Sequence, residues 1–254
     1  MIHFLLLAII TIFSSYFLLV LYLIIGWLKS NSNTQQTQNP AAKFSIIIPF
    51  RNETESIESC IQSLSELNYP KDFFELVLVN DNSTDNSAHV TDEKIKNLPN
   101  AKLLHLTKKK GKKAALELGI EMANNPIIIT TDADCNYQSS WLNCINQFYQ
   151  ETNAKMIVGP VLFNYRNTFD KIQALDFLSL TGTSISTHFH NHKILSNGAN
   201  LIFEKKTFTD INGYSLIDSI PTGDDILLMK KFNSVYPNSI KMLKNIDCIV
   251  RTAP

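Results

Sequence analysis

The sequence has 254 residues, 44% of them hydrophobic, which is enough for one well-buried domain of ordinary size. Its 23 basic and 23 acidic residues cancel, which argues against the broad positive surface of a duplex-binding protein and leaves nucleic acid out as a partner. The four cysteines show no C-x-x-C spacing. No zinc site or disulfide framework is therefore predicted, and a reducing compartment fits best.

The chain opens with a long apolar segment. Its first 28 residues contain no Lys, Arg, Asp or Glu, and residues 4–28 would form a helix of about 37 Å, enough to cross a hydrocarbon core of about 30 Å. A cleaved signal peptide is the alternative, but the segment lacks a positive start and an A-x-A-like cleavage site. We therefore predict a single membrane anchor over residues 1–29.

The charges near this anchor bear on its orientation. Lys29 and Lys43 are the nearby positive charges on its downstream side, which favours a folded domain that faces the cytoplasm. Residues 30–42 are polar, low in charge and without periodic apolar positions, so they are predicted to form a flexible linker. The folded domain is then expected over residues 43–254.

Short apolar runs alternate with helical patterns from residue 44 onward. Residues 44–49 form a continuous apolar run that ends at Pro49, as in a strand buried on both faces. Helical spacing follows, with Asn52 as the predicted N-cap and Glu55 completing a capping box. Repeated βα units predict an α/β fold with a mostly parallel central sheet flanked by helices. Further strands are predicted over residues 74–79, 102–106 and 127–131, and further helices up to residue 97 and over residues 112–122.

Polar clusters follow three of the predicted strands. They are RNE at residues 51–53, NDNSTDNS at residues 80–87 and DAD at residues 132–134. In sheets of this kind ligands bind outside the carboxyl ends of the strands, where the chain reverses its winding. We therefore expect the three clusters to line one crevice.

Asp132 and Asp134 are separated by a single alanine directly after an apolar run. Residues i and i+2 of an extended chain point to the same side, so the two carboxylates are expected on one face. A solvated turn or a helix cap is the alternative, because Asp favours both for its own reasons. Two adjacent carboxylates suit magnesium or manganese, ions that complete their shell with water and substrate phosphates. Both acids are candidate metal ligands.

The lysine-rich stretch KKKGKK covers residues 108–113. A run of like charges is usually only a solvated surface. Lys112 and Lys113, however, stand at the N-terminal end of a predicted helix, where free backbone N–H groups favour an anion. This helix start is a candidate phosphate-facing group.

Asp224 and Asp225 precede an apolar helical pattern in PTGDDILLMKKF, residues 221–232. Acids at a helix start are favoured by capping and by the helix dipole, so one of the two can serve only that purpose. Two adjacent acids cannot easily both cap. The other is therefore free to act as a base or as a hydrogen-bond acceptor.

Three histidines alternate at positions 188, 190 and 192. Such a pattern could bind a transition metal, but the neighbouring sequence supplies no fourth ligand and no second shell. A polar loop is the favoured interpretation.

The order of these motifs resembles that of family 2 glycosyltransferases, the inverting nucleotide-sugar enzymes with a GT-A fold. The resemblance covers residue 44 to about residue 254. The family's opening strand is similar to FSIIIPFRNE, its nucleotide-binding turn to VNDNSTDNS, and its glycine-lysine segment to KKKGKKAALELGI. Its metal-binding D-x-D is similar to TTDADC, its acceptor-side segment to NGANLIFEKKTFTDINGY, and its late acidic motif, usually Glu-Asp, to GDD.

This resemblance implies roles for the residues around the nucleotide. Pro49, Arg51 and Glu53 are expected to lie along the nucleoside, and Asp81 is expected to read the uracil edge. Lys112 is expected near the base or the diphosphate. The implied donor is a nucleotide-sugar, with a UDP-sugar favoured.

The resemblance also implies roles for the acids. Asp132 is expected near the ribose and the metal, and Asp134 is expected to ligate a divalent ion, magnesium or manganese. Asp225 matches the family's catalytic base, and Asp224 takes the place usually held by Glu. The sequence stops at IVRTAP, about where membrane-bound relatives continue into a Q/R-x-x-R-W motif and further membrane helices. A catalytic domain truncated at its C-terminal end is therefore expected.

The resulting prediction is a membrane-anchored, metal-dependent inverting glycosyltransferase that acts on a hydroxyl of a glycan or lipid-linked acceptor. One alternative is a haloacid-dehalogenase-type phosphatase, which also places D-x-D after an apolar strand and uses the first Asp as nucleophile. Its motif normally continues to Thr or Val where this chain has Asn136. The other alternative is a non-catalytic nucleotide-sugar-binding subunit that depends on a partner.

Overall fold

The structure is a computed structural model that describes residues 1–30, 40–107, 110–217, 220 and 222–253. Most of the predicted linker and two lysines of the KKKGKK stretch lie outside these residues. The helices are α1 (Ile2–Lys29), α2 (Ile57–Ser65), α3 (Ser87–Ile95), α4 (Lys112–Glu121), α5 (Trp141–Thr152), α6 (Thr168–Phe189), α7 (Lys205–Asp210) and α8 (Asp224–Val235). The strands are β1 (Phe44–Phe50), β2 (Phe74–Asn80), β3 (Ala101–His105), β4 (Ile127–Thr130), β5 (Met156–Val158), β6 (Val161–Phe163), β7 (Leu201–Glu204), β8 (Ile240–Met242) and β9 (Val250–Thr252).

The central sheet has the strand order β3-β2-β1-β4-β7-β5-β8. Strands β1 to β4 run parallel to one another, β7 runs antiparallel to both β4 and β5, and β8 runs parallel to β5. A separate parallel pair joins β6 to β9. The predicted α/β fold with a mostly parallel central sheet flanked by helices is confirmed.

Strand β1 lies at the centre of the core, with all seven of its residues buried. Successive side chains of a strand point to opposite faces of the sheet. Ile46 and Ile48 accordingly pack with Leu64 of α2 in one hydrophobic cluster, and Ile47 packs with Leu116 of α4 in the other. Burial on both faces explains why the strand reads as an unbroken apolar run.

The predicted strands and helices between residues 44 and 131 are present, with ends that differ by at most a few residues. The predicted capping box is wrong. Helix α2 begins at Ile57 after Ser56, and Asn52 adopts a left-handed conformation with φ 58° in the loop before it. Asn tolerates this conformation better than most residues, so Asn52 turns the chain out of β1 instead of capping the helix.

Helix α1 is long and apolar enough to cross a membrane by length and composition, although a signal sequence near an N-terminus meets the same criteria. Its last turns pack against α6. A Cβ atom added to Gly26 would lie 2.3 Å from the Ser186 carbonyl oxygen, and the rings of Tyr22 and His190 stack with centroids 3.8 Å apart. The absence of a side chain at Gly26 is what lets the two helices approach so closely.

A disulfide joins Cys144 of α5 to Cys248, two positions before β9. The prediction that the cysteines form no disulfide is therefore wrong. The two residues are 104 positions apart, so their spacing carries no local signal, and packing of α5 against the 3-10 helix Ile246–Cys248 brings their Cα atoms to 5.8 Å. Cys60 and Cys135 are free and buried.

Candidate active site

Side chains from four loops converge at one edge of the large sheet, beyond the carboxyl ends of the neighbouring strands β1 and β4. From β1 the sheet continues to β2 and β3, and from β4 it continues to β7, so the gap between the carboxyl ends of β1 and β4 is the switch point of the sheet. A cavity of about 290 Å³ opens there. Its lining includes every residue predicted for nucleotide and metal binding: Pro49, Arg51, Glu53, Asp81, Lys112, Asp132 and Asp134.

Hydrogen bonds to the β2 loop hold the loop that follows β1. The Asn52 side-chain oxygen accepts from Thr84 N–H at 2.8 Å, and Glu53 N–H donates to Ser87 Oγ at 2.7 Å. Arg51, between the buried end of β1 and this anchored turn, is exposed. Its long cationic side chain is therefore positioned at the cavity rim by the backbone on both sides.

Asp81 is the buried acid of the cavity, only 5% exposed. Both of its carboxylate oxygens lie within hydrogen-bond distance of Gly111 N–H, at 3.0 and 2.9 Å. Gly111 has φ 101°, a conformation that a residue with a side chain rarely adopts. The glycine of the lysine-rich stretch thus lets the backbone approach Asp81 closely and sets the start of α4.

Lys112 begins α4 and reaches Asp132, with 2.5 Å between Nζ and Oδ1. The lysine side chain remains 45% exposed, so this ion pair contributes little to stability. Partial burial lowers the pKa of Lys112, but the nearby charges of Asp132, Asp224 and Asp225 raise it by more, so its pKa lies above the usual value. Lys112 therefore keeps its positive charge between two groups of acids.

The D-x-D motif follows β4 in a turn, in which Cys135 N–H donates to the Asp132 carbonyl at 3.3 Å. Ala133 is buried, and the two acids on either side of it are part-exposed and line the cavity. The expected shared face is therefore present, although a turn and not an extended strand produces it. Asp134 Oδ2 also accepts a hydrogen bond from Thr252 Oγ1 at 2.7 Å.

Asp224 and Asp225 are the first two residues of α8, and the N-cap is Gly223, with φ 75°. Neither acid is therefore the N-cap, but both lie in the first turn, where the helix dipole favours an acid. Asp225 Oδ1 accepts from Ile226 N–H at 2.8 Å. Burial raises the pKa of Asp225 and the adjacent Asp224 raises it further, while the Ile226 N–H and Lys112 act in the opposite sense; the net pKa is raised. A carboxylate with a raised pKa is a stronger base.

The NGAN segment before β7 places the α8 acids beside Lys112. Thr130 Oγ1, at the end of β4, donates to the Gly198 carbonyl at 2.9 Å. A Cβ atom added to Gly198 would lie 3.8 Å from Asp225 Cβ and 4.0 Å from Lys112 Nζ. Lys112 therefore lies between the residues that line the cavity and the two acids at the start of α8.

Within the described part of the chain, no group of three or more His, Cys, Asp or Glu side chains is placed to hold a metal ion. The predicted polar histidine loop is only partly present, because His188 lies in the last turn of α6. Asp132 and Asp134 supply two hard oxygen ligands. A divalent ion bound by them would take its remaining ligands from water or substrate, as magnesium commonly does.

A known protein family covers most of the folded domain. The family model of glycosyl transferase family 2 matches residues 45–218. The chain belongs to glycosyl transferase family 2. This membership confirms the resemblance found in the motifs and decides against the phosphatase alternative.

Several known proteins are similar to this chain in sequence or in fold. The chain is 29% identical over 123 residues to glycosyltransferase AglE of Haloferax volcanii, covering 48% of this chain and 40% of AglE. It resembles the mannosyltransferase PcManGT of Pyrobaculum calidifontis, solved with GDP-Man and Mn²⁺, with TM-score 0.67, 20% identity and coverage of 92% and 64%. It also resembles S. aureus TarS, solved with UDP-GlcNAc, with TM-score 0.62, 19% identity and coverage of 84% and 58%. The chain spans less than half the length of the curated relatives it matches.

Three residues of the site in this family 2 chain were not singled out from the sequence. Gly111 bonds Asp81 through its backbone N–H, Gly198 adjoins Asp225 and Lys112, and Thr252 bonds Asp134. Gly111 was visible as the one break in a lysine run, a position where a turn is expected. Thr252 belongs to a short run with alternating burial, but its contact with Asp134 spans 118 positions and has no local signal.

Proposed function

We propose that this protein is a membrane-anchored, metal-dependent inverting glycosyltransferase. Residues 43–254 form its catalytic domain, and it moves a sugar from a nucleotide-sugar, preferably a UDP-sugar, to a hydroxyl of a glycan or lipid-linked acceptor. The observation that carries the proposal is the single cavity at the sheet switch point, which gathers the candidate nucleotide and metal residues. Asp225 lies next to that cavity through its neighbour Lys112.

The donor side of the proposal assigns the nucleoside to the β1 and β2 loops. Pro49, Arg51 and Glu53 lie along it, and the Asp81 carboxylate accepts from the base. Proteins of the same fold have been solved with UDP-GlcNAc and with GDP-Man, which supports a nucleotide-sugar ligand without choosing between the two. Family 2 membership is the further support for transferase chemistry.

The acids of the D-x-D motif fit a divalent cation by their chemistry. Asp132 and Asp134 both line the cavity, and carboxylate oxygens are the ligands that magnesium and manganese prefer. In this proposal Asp134 is the direct ligand and Asp132 contributes to the same ion and to the ribose. A bound ion would offset diphosphate charge and so help the nucleotide to leave.

The transfer step needs a base for the acceptor hydroxyl. Asp225 is proposed to take that proton as the oxygen attacks the anomeric carbon, and its raised pKa suits a base that works near neutral pH. Lys112 supplies a permanent positive charge near the departing diphosphate. Asp224 is assigned to orienting the acceptor or the helix start. Attack on the face opposite the leaving group inverts the anomeric configuration.

Helix α1 is proposed to anchor the enzyme as a single-pass segment over residues 1–29. A catalytic domain that faces the cytoplasm agrees with Lys29 and Lys43 on the downstream side. The Cys144–Cys248 disulfide counts against that orientation, because disulfides persist mainly in oxidising compartments. Thiol-reactive labelling of one cysteine introduced on the surface of the domain, compared in intact and opened cells, distinguishes the two sides.

The function is tested with the full chain in detergent. UDP-GlcNAc and GDP-mannose are titrated calorimetrically with Mn²⁺ and again with EDTA, and transfer is followed by release of free nucleotide diphosphate with and without acceptor. Binding that requires Mn²⁺, together with acceptor-dependent release, is the expected result. Equally tight binding in EDTA would contradict metal dependence, and binding with no turnover on any acceptor would favour the non-catalytic subunit.

A matched variant sharpens this test. Asp134→Ala should abolish Mn²⁺-assisted binding while leaving the melting temperature in metal-free buffer nearly unchanged, because a part-exposed site acid contributes little to folding. Glu58→Ala, which changes an exposed acid on α2 outside the cavity, is the control and should bind donor as the wild type does.

A further inference from the structure

We infer that Thr252 is a positioning residue for Asp134, held in place by a C-terminal segment (residues 246–252) that is fastened to the rest of the domain. The inference rests on the proposed function, in which Asp134 binds the metal. It extends that function by assigning a role to a part of the chain that lies outside every motif considered so far.

The direct contact is a hydrogen bond to the carboxylate. Thr252 Oγ1 donates to Asp134 Oδ2 at 2.7 Å, and Thr252 is itself buried, at 8% exposure. The other carboxylate oxygen, Oδ1, lies 3.7 Å from Cys135 Sγ, a weak contact. A charge-assisted bond to one oxygen therefore fixes the side chain while the second oxygen stays available to a ligand.

The backbone around Thr252 is held on two sides. Asn164 N–H donates to the Thr252 carbonyl at 2.8 Å. Asn136, two positions after Asp134, exchanges backbone hydrogen bonds with Arg251 at 2.8 and 3.1 Å. The strand that carries Thr252 is thus paired directly with the loop that carries the D-x-D motif, so a shift of one moves the other.

The start of the same segment is fastened covalently. Cys248 is bonded to Cys144 of α5, and its carbonyl accepts from Asn200 Nδ2 at 2.9 Å. Helix α5 follows the D-x-D loop in the chain. The C-terminal segment is therefore joined to α5 near its start, through Cys248, and to the D-x-D loop near its end, through Arg251. This arrangement limits how far Thr252 can move away from Asp134.

The effect of a hydrogen-bond partner on a metal ligand can be measured as a change in metal affinity. Removing an outer-shell partner of a metal ligand typically weakens metal affinity by about 10–100-fold. Thr252→Val keeps the size and the β-branch but removes the hydroxyl, whereas Thr252→Ser keeps the hydroxyl. The two variants therefore separate the hydrogen bond from the packing.

Mn²⁺ binding in the presence of UDP is measured by electron paramagnetic resonance on the full chain, for the wild type and both Thr252 variants. Thr252→Val should raise the apparent Kd for Mn²⁺ by about 10–100-fold, and Thr252→Ser should restore wild-type affinity. Melting temperatures in EDTA serve as the second readout. They should agree for all three proteins, because the bond acts on the ligand and not on the fold.

The outcomes separate the two levels of the proposal. If the wild type binds no Mn²⁺ with UDP, the proposed function fails and the role of Thr252 fails with it. If the wild type binds Mn²⁺, Asp134→Ala does not, and Thr252→Val equals the wild type, only the positioning role is overturned. If Thr252→Val proves unstable, Thr252→Ser decides, because loss of Mn²⁺ affinity in the serine variant would contradict a role for the hydroxyl.

Discussion

The two halves of the domain are built differently. In the N-terminal half, residues 44–134, four parallel strands arise from successive βα units, and each site loop follows its own strand. In the C-terminal half, residues 135–253, antiparallel β7 lies between β4 and β5. Strand β6 pairs with β9, although most of the sequence of this half separates the two strands. In the first half each site loop is adjacent in sequence to its own strand, whereas in the second half the site residues are positioned by contacts between distant parts of the chain.

This difference separates binding from catalysis in the proposed enzyme. The cavity proposed to hold the nucleotide is lined wholly by residues of the N-terminal half. The candidate base, Asp225, and the residue that bonds Asp134, Thr252, both come from the C-terminal half. Substitution of the candidate base should therefore change turnover, whereas substitutions that line the cavity should change donor binding.

The largest effect is expected at the candidate base. Asp225→Asn is nearly isosteric, so it should keep the start of α8 and donor affinity but lower kcat by about 10²–10⁴-fold, the usual contribution of general-base catalysis. Transfer and free UDP are measured at saturating donor and Mn²⁺. A loss of turnover with unchanged donor affinity would separate the two halves as described.

The paired control at this position is Asp224→Asn. It should reduce turnover less, because Asp224 is assigned to orienting the acceptor or the helix start and not to proton transfer. If Asp224→Asn were inactive while Asp225→Asn kept wild-type transfer, the two roles would have to be exchanged. If neither changed turnover, the acid pair would not be the catalytic group.

The second effect concerns the long-range fastening of the C-terminal half. Replacing both Cys144 and Cys248 with Ser removes a cross-link between residues 104 positions apart, which should lower the free energy of unfolding by about 4–5 kcal/mol in the chain-entropy description. Urea denaturation of the oxidised proteins measures it. Cys144→Ser alone should cost about as much, since either change breaks the same bond. A double variant as stable as the wild type would mean that the disulfide does not stabilise the domain.

A third comparison uses one glycine from each half. A Cβ atom added to Gly119 of α4 would lie 2.4 Å from Ile47 Cγ2, whereas nothing lies within 4 Å of one added to Gly182 of α6. Gly119→Ala should destabilise by about 1–3 kcal/mol through overpacking, and Gly182→Ala should stabilise by up to about 1 kcal/mol through helix propensity. Thermal unfolding of both variants checks the signs. Equal effects would contradict the tight packing of α4 on β1.

The smallest effect is a displacement of the pH profile. Because burial and Asp224 raise the pKa of Asp225 above its ordinary value of 3.8, kcat/KM should fall as the pH drops through that raised value. Asp224→Asn removes a charge that raises the pKa of Asp225, so the acid limb of the profile should move to lower pH. An unmoved acid limb would exclude Asp224 as a cause of the raised pKa.

The same pKa shift affects stability. The folded pKa of Asp225 exceeds the unfolded one, so its contribution to the stability is present below the unfolded pKa and is lost as pH rises through the folded pKa. Asp225→Asn should therefore be slightly more stable than wild type at neutral pH, as measured by thermal unfolding.

The convergence of the loops after β1 and β4 on one cavity could be predicted from the sequence, for a physical reason. Strand β1 is buried on both faces, so it appears as an unbroken apolar run, and its site residues follow directly at Arg51 and Glu53. Asp132 and Asp134 follow β4 in the same way. Where a strand and its functional loop are adjacent in the chain, periodicity alone gives their relative position.

The remaining features depend on contacts that periodicity does not encode. The disulfide joins residues 104 positions apart, and Thr252 meets Asp134 across 118 positions. Asn52 had the residue type of a helix cap but was needed for a left-handed turn. In each case a tertiary contact or a backbone conformation overrode a local preference, which single-sequence reasoning cannot weigh.

If α1 spans the membrane as proposed, its close contact at Gly26 has a mechanical consequence. A transmembrane helix longer than the local hydrocarbon thickness tilts to match it. Since the backbone of α1 rests directly on Ser186 of α6, and Lys244 Nζ donates to the Trp27 carbonyl at 2.6 Å, a tilt of α1 turns the attached domain with it. Bilayer thickness would thereby set the angle at which the crevice faces the lipid headgroups.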